Sequence, residues 1–479
     1  MKPIYAAAAV RELDRRMIED RGLPSLALME AAVALLAREL REARPDVLQA
    51  SVCVACGPGN NGGDGYALAR WLHGWGVDVR VWPVVPPATD DARAMAAIAR
   101  DVGVPTCPGP DGDWIIDALF GTGLSRDLEG AVAAATASFA DRKVVAIDLP
   151  SGLDADTGTW RGPTFEAALT LTLARLKPGL FAGAGPTVAG EVRLVDIGLD
   201  VVATDDDAHA WLLEAVDVAW PRRGRADHKG RSGHVLVVAG SVAMAGAAVL
   251  ACEGALSAGA GLVTLAIPLE ATPRLAVLPP EVMVVHDPLA QLSLARWDAV
   301  VVGPGLGGGR ALSHKARAAL TGWWASALVP LVYDADALDC TGAPGVPTAR
   351  VLTPHPGEAG RLLGMSSAEV QADRFRAVAR LRDRGIALLK GPHTLVADAT
   401  RITVNPTGSP ALATGGSGDV LAGVIGALLA RGLDAGDAAR TGAWVHGAAG
   451  DRLWTRRQTG WRATDIARAV ADVAGDLLA

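Results

Sequence analysis

Apolar positions recur at helical spacing through residues 1–40, at Leu13, Met17, Leu26, Met29, Val33 and Leu36, with Gly22-Leu-Pro24 interrupting them. Beyond this opening the period changes. Short apolar runs at Val52 to Cys56, Val79 to Val85, Trp114 to Ala118 and Val144 to Ile147 read as strands. Helical stretches at Tyr66 to Trp75, Asp91 to Val102 and Leu128 to Phe139 alternate with them. Two more strands are predicted at Ala168 to Leu173 and Val192 to Val195. Such βαβ alternation predicts a parallel sheet with helices on both faces.

Between Leu199 and Arg225 the pattern loosens, through the acidic Asp205-Asp206-Asp207 and the basic Arg222-Arg223. A second alternation starts at Val235, with strands predicted near Leu262, Val300, Val332, Leu388 and Ile402. Helices over Val420 to Leu429, Ala438 to Ala449 and Asp465 to Leu478 close the chain. The boundary is placed near Asp205, giving domains over 1–205 and 215–479. A length of 479 residues agrees, being more than one core usually serves. No short repeat of solenoid type is present.

Half the residues are hydrophobic but only 4% aromatic, so the core rests on Ala, Val and Leu, as in covered parallel sheets. A net charge of −7 supplies no basic field for nucleic acid or a membrane surface. Five scattered cysteines make no disulfide framework, and Cys53 and Cys56 lie within an apolar strand, not at a redox helix start. The apolar stretch from Ile4 is too short for a signal peptide, and Gly240-Ser241 breaks the uncharged run from Val235 to Cys252. A cytoplasmic protein without a membrane span is expected.

Three strings fall at predicted strand ends in the first half: Gly57-Pro-Gly-Asn-Asn-Gly-Gly-Asp-Gly65, Asp117-Ala-Leu-Phe-Gly-Thr-Gly-Leu124 and Asp148-Leu-Pro-Ser-Gly-Leu-Asp154. Loops beyond the carboxyl ends of parallel strands converge on one crevice, so Asn61, Asp117, Asp148 and Ser151 are expected to meet. The first string fits G-x-G-x-x-G, but Asp78 opens the next strand instead of ending it, against a dehydrogenase fingerprint. Its amide and carboxylate oxygens suit a cation or a polar ligand.

In the second half, Ala413-Thr-Gly-Gly-Ser-Gly-Asp-Val-Leu-Ala-Gly423 leads into an apolar helix. Glycines let backbone amides approach an anion, and the helix N-terminus adds favourable partial charge. Asp419, in the first turn, is expected to be held ionised by the helix dipole and to act as base. No G-x-x-x-x-G-K-[ST] string occurs, so this is not a P-loop. Gly303-Pro-Gly-Leu-Gly-Gly308, Tyr333-Asp-Ala-Asp-Ala-Leu338, Thr353-Pro-His-Pro-Gly-Glu358 and Lys390-Gly-Pro-His-Thr394 also border predicted strands. His355, stiffly held between prolines, reads as a ligand-binding residue.

GPGNNGGDGYALAR, DALFGTGL and IDLPSGLDADTG together resemble the NAD(P)H-hydrate epimerase family, over about residues 1–205. The resemblance implies a Rossmann-like domain that interconverts the R and S hydrates of NADH and NADPH. Asn60, Asn61, Gly62, Gly63 and Asp64, with the loop Gly121, Thr122, Gly123, Leu124, Ser125, Arg126 and Asp127, would bind the hydrate. Asp148 would stand catalytically at the nicotinamide ring, and Asn61, Asp117 and Ser151 would hold K+. One departure is Leu28-Met-Glu-Ala-Ala-Val33, where the family usually has Leu-Met-Glu-Asn-Ala-Gly.

HKGRSGHVLVVAGS, ALSAGAGLVTLA, GPGLG, DADAL, TPHPGEAGRLLG, LKGPHT and TGGSGDVLAG resemble the ADP-dependent NAD(P)H-hydrate dehydratase family, over about 215–479. That implies a ribokinase-like α/β domain that dehydrates the S hydrate at the expense of ADP, giving AMP and phosphate. Lys390, Gly391, Pro392, His393, Thr394 and Gly418 would bind the nucleotide, with Mg2+ assisting. Ala247, Gly305, His355 and Asp419 would hold the hydrate, Asp419 being catalytic. Met244 and His393 depart from the usual Tyr and small residue. The implied partners are the hydrates and ADP, in a homo-oligomer of tetramer size or larger. The alternative is a ribokinase-like vitamin-pathway kinase fused to a nucleotide-binding module.

Overall fold

The β-branched runs of the first half form one parallel sheet of six strands: β1 (Val52–Cys56), β2 (Val79–Pro83), β3 (Trp114–Ala118), β4 (Lys143–Ile147), β5 (Leu169–Leu173) and β6 (Glu191–Val195). Their order is β2-β1-β3-β4-β5-β6. The computed structural model describes residues 1–226, 228–287, 289–307, 312–343 and 349–478. The chain divides into two compact units between Ala210 and Trp211. Because β1 is flanked by β2 on one side and β3 on the other, the connections turn opposite ways there, opening a crevice at the carboxyl ends of β1 and β3. The glycine-rich string after β1 and the loop after β3 both fall on it.

The helix after β1 spans Asn60–Gly74, starting well before the Tyr66 predicted from periodicity. Its opening Asn and Gly residues are poor helix formers, so propensity hides it. Tertiary contact overrides that. A Cβ on Gly62 would lie 2.0 Å from the Gly57 carbonyl oxygen, and one on Gly65 would lie 2.5 Å from the Ala118 Cβ. The glycines let the helix start press against the ends of β1 and β3. The opening helical pattern resolves into Ala7–Arg15 and Ser25–Ala43, broken where the glycine and proline fall. Val33 is buried in the core while Ala31 is exposed, so the departure from the family string falls on one packed and one solvent position. Cys53 and Cys56 are buried strand residues.

The second unit holds β7 (His234–Val238), β8 (Leu262–Ala266), β9 (Val282–Val285), β10 (Ala299–Val302), β11 (Leu331–Tyr333), β12 (Arg350–Leu352), β13 (Ile386–Leu389), β14 (Leu395–Ala397) and β15 (Ile402–Val404). These run in the order β15-β14-β13-β12-β11-β10-β7-β8-β9, parallel except where β14 meets its neighbours. The connections reverse between β7 and β10, making a second crevice. Among the described residues no helix is long and apolar enough to cross a membrane. The uncharged run from Val235 supplies β7, a glycine turn and the helix Ala245–Ser257.

That helix packs against Ser417–Ala430 with glycine on both sides. A Cβ on Gly254 would sit 2.2 Å from the Val420 carbonyl oxygen, and one on Gly423 would sit 2.0 Å from that of Ala251. Neither obstruction is a flexible side chain, so Gly423→Ala is expected to force the helices apart. Overpacking of this kind costs about 1–3 kcal/mol. In urea unfolding of the full chain, the transition reported by the C-terminal unit should move to lower urea. An unmoved transition would mean the backbones yield freely.

Candidate active sites

Asp117, in β3, is wholly buried, and its carboxylate meets three donors. The Ser151 amide donates at 2.8 Å, the Ser151 hydroxyl at 2.8 Å and the Leu119 amide at 3.1 Å. Burial still dominates and pushes the group up to about 6. The Ser151 hydroxyl also accepts from the Phe120 amide at 3.0 Å, joining the loops after β3 and β4.

Asp148 follows β4 with φ of 68°, a left-handed conformation uncommon for a non-glycine residue. Its carboxylate accepts from the Thr122 amide at 3.0 Å, the Leu173 amide at 3.2 Å and the buried Lys177 ammonium. Lys177 also donates to the Thr172 hydroxyl and the Leu173 carbonyl. Gly121 is required beside it, because a Cβ there would fall 2.3 Å from an Asp148 oxygen.

These groups border a cavity of about 420 Å³ whose wall includes Asp14, Asn60, Asn61, Asp64, Gly121, Thr122, Gly123, Asp148 and Lys177. The sequence-predicted residues thus separate into four groups. Asn60, Asn61, Asp64, Asp148 and the glycine turn at 121–123 face the cavity. Asp117 and Ser151 form the buried pair behind it. Gly62 and Gly63 serve helix packing, Gly63 against the Met29 side chain, and Leu124 is buried. Ser125, Arg126 and Asp127 are exposed, and Asp127 lies 3.9 Å from Arg161. Asp14 and Lys177 were missed. Neither lies in a glycine-rich string, and each reaches the site from a distant segment.

In the second unit the loops after β7, β10, β11, β12 and β13 converge. Asp334, immediately after β11, is 2% exposed and accepts from the Lys390 ammonium at 2.9 Å and the Thr353 hydroxyl at 2.8 Å. Lys390, following β13, also stands 3.9 Å from Glu358. Gly418 lies over this pair, since a Cβ on it would be 3.3 Å from the Lys390 nitrogen. Gly305 and Ala247 meet, a Cβ on Gly305 falling 2.9 Å from that of Ala247 and 2.8 Å from the Met244 carbonyl oxygen. Gly308, at the end of that string, lies outside the described residues.

Asp419 corrects the sequence expectation of a carboxylate kept ionised by the helix dipole. Burial, reinforced by the negative charge of Asp334 and only partly offset by Lys390, pushes it up to about 7. The dipole is outweighed because desolvation acts on the whole charge, whereas a helix terminus offers about half of one. A pKa near neutrality suits a general base. The first turn of Ser417–Ala430 leaves the amides of Gly418 and Asp419 without acceptors inside the helix. His446, which sequence reading missed, lies 3.1 Å from the Ser417 hydroxyl, and burial lowers it to about 4.

His355 has a structural task that sequence reading did not foresee. It caps the helix Pro356–Leu363, its Nδ1 accepting from the Gly357 amide at 3.0 Å, while Glu358 binds back to the His355 amide at 2.8 Å. The ring remains exposed. Behind the Lys390–Thr394 turn the buried Arg374 guanidinium fills the space beside Gly391, where a Cβ would fall 2.2 Å away. Among the described residues, no three acidic, histidine or cysteine side chains converge into a protein-only metal cage.

Two doubly wound α/β units, one with a carboxylate-lined crevice and one with a glycine-rich helix start over a Lys–Asp pair, define a two-site enzyme acting on nucleotide-like compounds. Residues 25–179 match the family described as YjeF-related protein N-terminus, and residues 235–472 match the NAD(P)H-hydrate dehydratase family. The bifunctional NAD(P)H-hydrate repair enzyme of Moorella thermoacetica is 38% identical, covering 99% of this chain and 95% of its own. That of Coxiella burnetii is 37% identical over 97% and 98%. A solved ADP/ATP-dependent NAD(P)H-hydrate dehydratase from Bacillus subtilis, co-crystallised with ATP and Mg2+, aligns with a TM-score of 0.51 and 29% identity, over 56% of this chain and 99% of that one. The chain belongs to the bifunctional NAD(P)H-hydrate repair enzyme family, with a Rossmann-like epimerase domain and a ribokinase-like dehydratase domain. The alternative of a vitamin-pathway kinase finds no such support.

Asp419→Asn is expected to cut S-hydrate dehydration by about 10²–10⁴-fold, with nucleotide affinity retained. For the native chain, kcat/KM should fall as pH drops through about 7, because a base pushed up to that value is lost by protonation. A flat profile down to pH 5 together with an active Asn variant would remove Asp419 from the chemistry.

Proposed function

We propose that the two activities reside separately in the domains 1–205 and 215–479, each with the residues assigned above. In the second, Asp419 takes the proton of the ring hydroxyl as its oxygen attacks the terminal phosphorus of ADP, releasing AMP. The amides at the start of Ser417–Ala430 stabilise the charge that develops on the phosphoryl oxygens. The C–O bond then breaks with its electron pair going to phosphate, and loss of the neighbouring ring proton restores the double bond. Lys390 and the turn through Gly391, Pro392, His393 and Thr394 hold the nucleotide, while Ala247, Gly305 and His355 hold the hydrate. The observation that carries this reading is the convergence of Lys390, Asp334 and Gly418 beside Asp419.

The donor sets fit both implied cations. Asp334, Glu358 and Asp419 place more carboxylate than Lys390 can balance, and Mg2+ arriving with the nucleotide would supply the missing positive charge. In the first unit Asp117 is buried with no cationic side chain among its described partners, and the Asn61 side-chain nitrogen is buried without a partner. Exchanging the Asn61 amide atoms would put an acceptor oxygen at that position. Asn61, Asp117 and Ser151 would hold K+, which supplies charge that fixes the crevice loops. The Asp148 carboxylate faces the ring, and Gly121 to Asp127 with Asn60 to Asp64 enclose the nucleotide. A cytoplasmic homo-oligomer, tetrameric or larger, completes the proposal.

An epimer-resolved assay tests it. The full chain, given mixed R and S hydrates with ADP, Mg2+ and K+, should consume both. Asp117→Ala, or replacing K+ by a large organic cation, should leave S consumption unchanged and slow R consumption toward its spontaneous epimerisation rate. R consumption indifferent to both changes would refute the cation site. S consumption lost along with R would refute independent sites.

A further inference from the structure

The helix Ala7–Arg15 forms part of the cavity wall but contributes none of the residues assigned above. Arg11 of this helix donates to the Thr122 carbonyl at 3.0 Å, while the amide of the same Thr122 donates to Asp148 at 3.0 Å. The helix and the Asp148 carboxylate are therefore tied to one residue of the loop after β3. Asp14 lies three positions on from Arg11, so both emerge on one helix face, and both border the cavity. Val10 and Leu13 are buried on the neighbouring face and fix the helix rotation.

Asp14 and Asp148 differ in what they already bind. Asp148 accepts two backbone amides and the Lys177 ammonium. Among the described residues nothing hydrogen-bonds the Asp14 carboxyl. Two acids in one pocket with opposite environments are how a site divides acid from base. We infer that Asp14 is the general acid of the epimerase, protonating the departing ring hydroxyl while Asp148 accepts the proton of the returning water.

The step balances. The C6–O bond breaks with its electron pair going to oxygen, which takes the Asp14 proton and leaves as water. The ring-nitrogen lone pair forms the N1=C6 iminium. Water adds to C6 from the other face, gives its extra proton to Asp148, and solvent exchange returns a proton to Asp14. No redox change occurs. The charged groups facing Asp14 are Lys177, Asp148 and Asp64, with Arg11 on its own helix. Burial outweighs Lys177 and pushes Asp14 up to about 6, so part of it carries a proton near neutral pH. Asp64 is raised by burial and by Asp148 and Asp14, and cannot neutralise it.

This inference rests on the Asp148 crevice being the epimerase site, so Asp148→Asn is measured beside Asp14→Asn and Asp14→Glu. Each full chain is given R hydrate with ADP, Mg2+ and K+, and S hydrate separately. Asp14→Asn should slow R consumption by about 10²–10⁴-fold, or to the spontaneous rate if that is faster, with S consumption unchanged. Asp14→Glu should restore part of it. Native epimerisation should decline as pH rises through about 6, because an acid must keep its proton, and the residual Asn activity should lack that decline. Native-like epimerisation by Asp14→Asn beside an inactive Asp148→Asn would overturn the inference and leave the site standing. Full activity in both would overturn the site itself. If Asp14→Asn weakens hydrate binding as much as turnover and keeps the native pH profile, Asp14 is structural and the inference fails.

Discussion

Carboxylates held out of water at the carboxyl ends of parallel strands are the constraint on which both halves of this protein turn. Asp117 and Asp148 close β3 and β4, and Asp334 closes β11. A buried charge is costly unless donors surround it, and strand ends supply them because loops from neighbouring strands converge there. Ser151 and Leu119 satisfy Asp117, Lys177 and two amides satisfy Asp148, and Lys390 and Thr353 satisfy Asp334. Each satisfied acid in turn fixes the loops that serve it.

Among the described residues, Asp419 and Asp14 have no such set of donors, although burial raises the donor-rich Asp117 to about 6 as well. Asp419 sits beside Asp334 and Lys390, yet Lys390 is spent on Asp334, and Asp419 is pushed up to about 7. Asp14 sits near Asp148 and Lys177, yet Lys177 is spent on Asp148, and Asp14 is pushed up to about 6. The same device occurs twice. One acid and one lysine form a saturated pair, and a second acid nearby, denied the lysine, keeps a proton affinity useful near neutral pH.

The strands of the first sheet, and β7, β8, β10, β11, β13 and β15 of the second, were legible as short apolar runs, whereas β9, β12 and β14 were not predicted, and the glycine strings marked the crevices because each follows a strand. Less was legible where the answer lay in distant contacts. The helix from Asn60 was hidden by its own composition, since glycines that weaken a helix locally are what let this one lie against β1 and β3. Lys177 and Lys390 are separated from their acids by 29 and 56 positions, and no local spacing announces such pairs. The ionisation of Asp419 was misjudged for a related reason. The helix start is visible in sequence, but the burial and the neighbouring Asp334 that outweigh it are not.

Charge balance also bears on the proposal that an anionic nucleotide binds in a crevice rich in acids. Asp334, Glu358 and Asp419 surround Lys390, and all three raise its affinity for a proton. A bare diphosphate would meet repulsion there, offset only by helix-terminus amides worth about half a charge. A cation-bound nucleotide would meet less. Positive charge brought near Asp419 would favour its ionised form, by the same electrostatics through which Asp334 now opposes it. In the proposed reaction, such a cation would raise the ionised fraction of Asp419 while lowering its proton affinity.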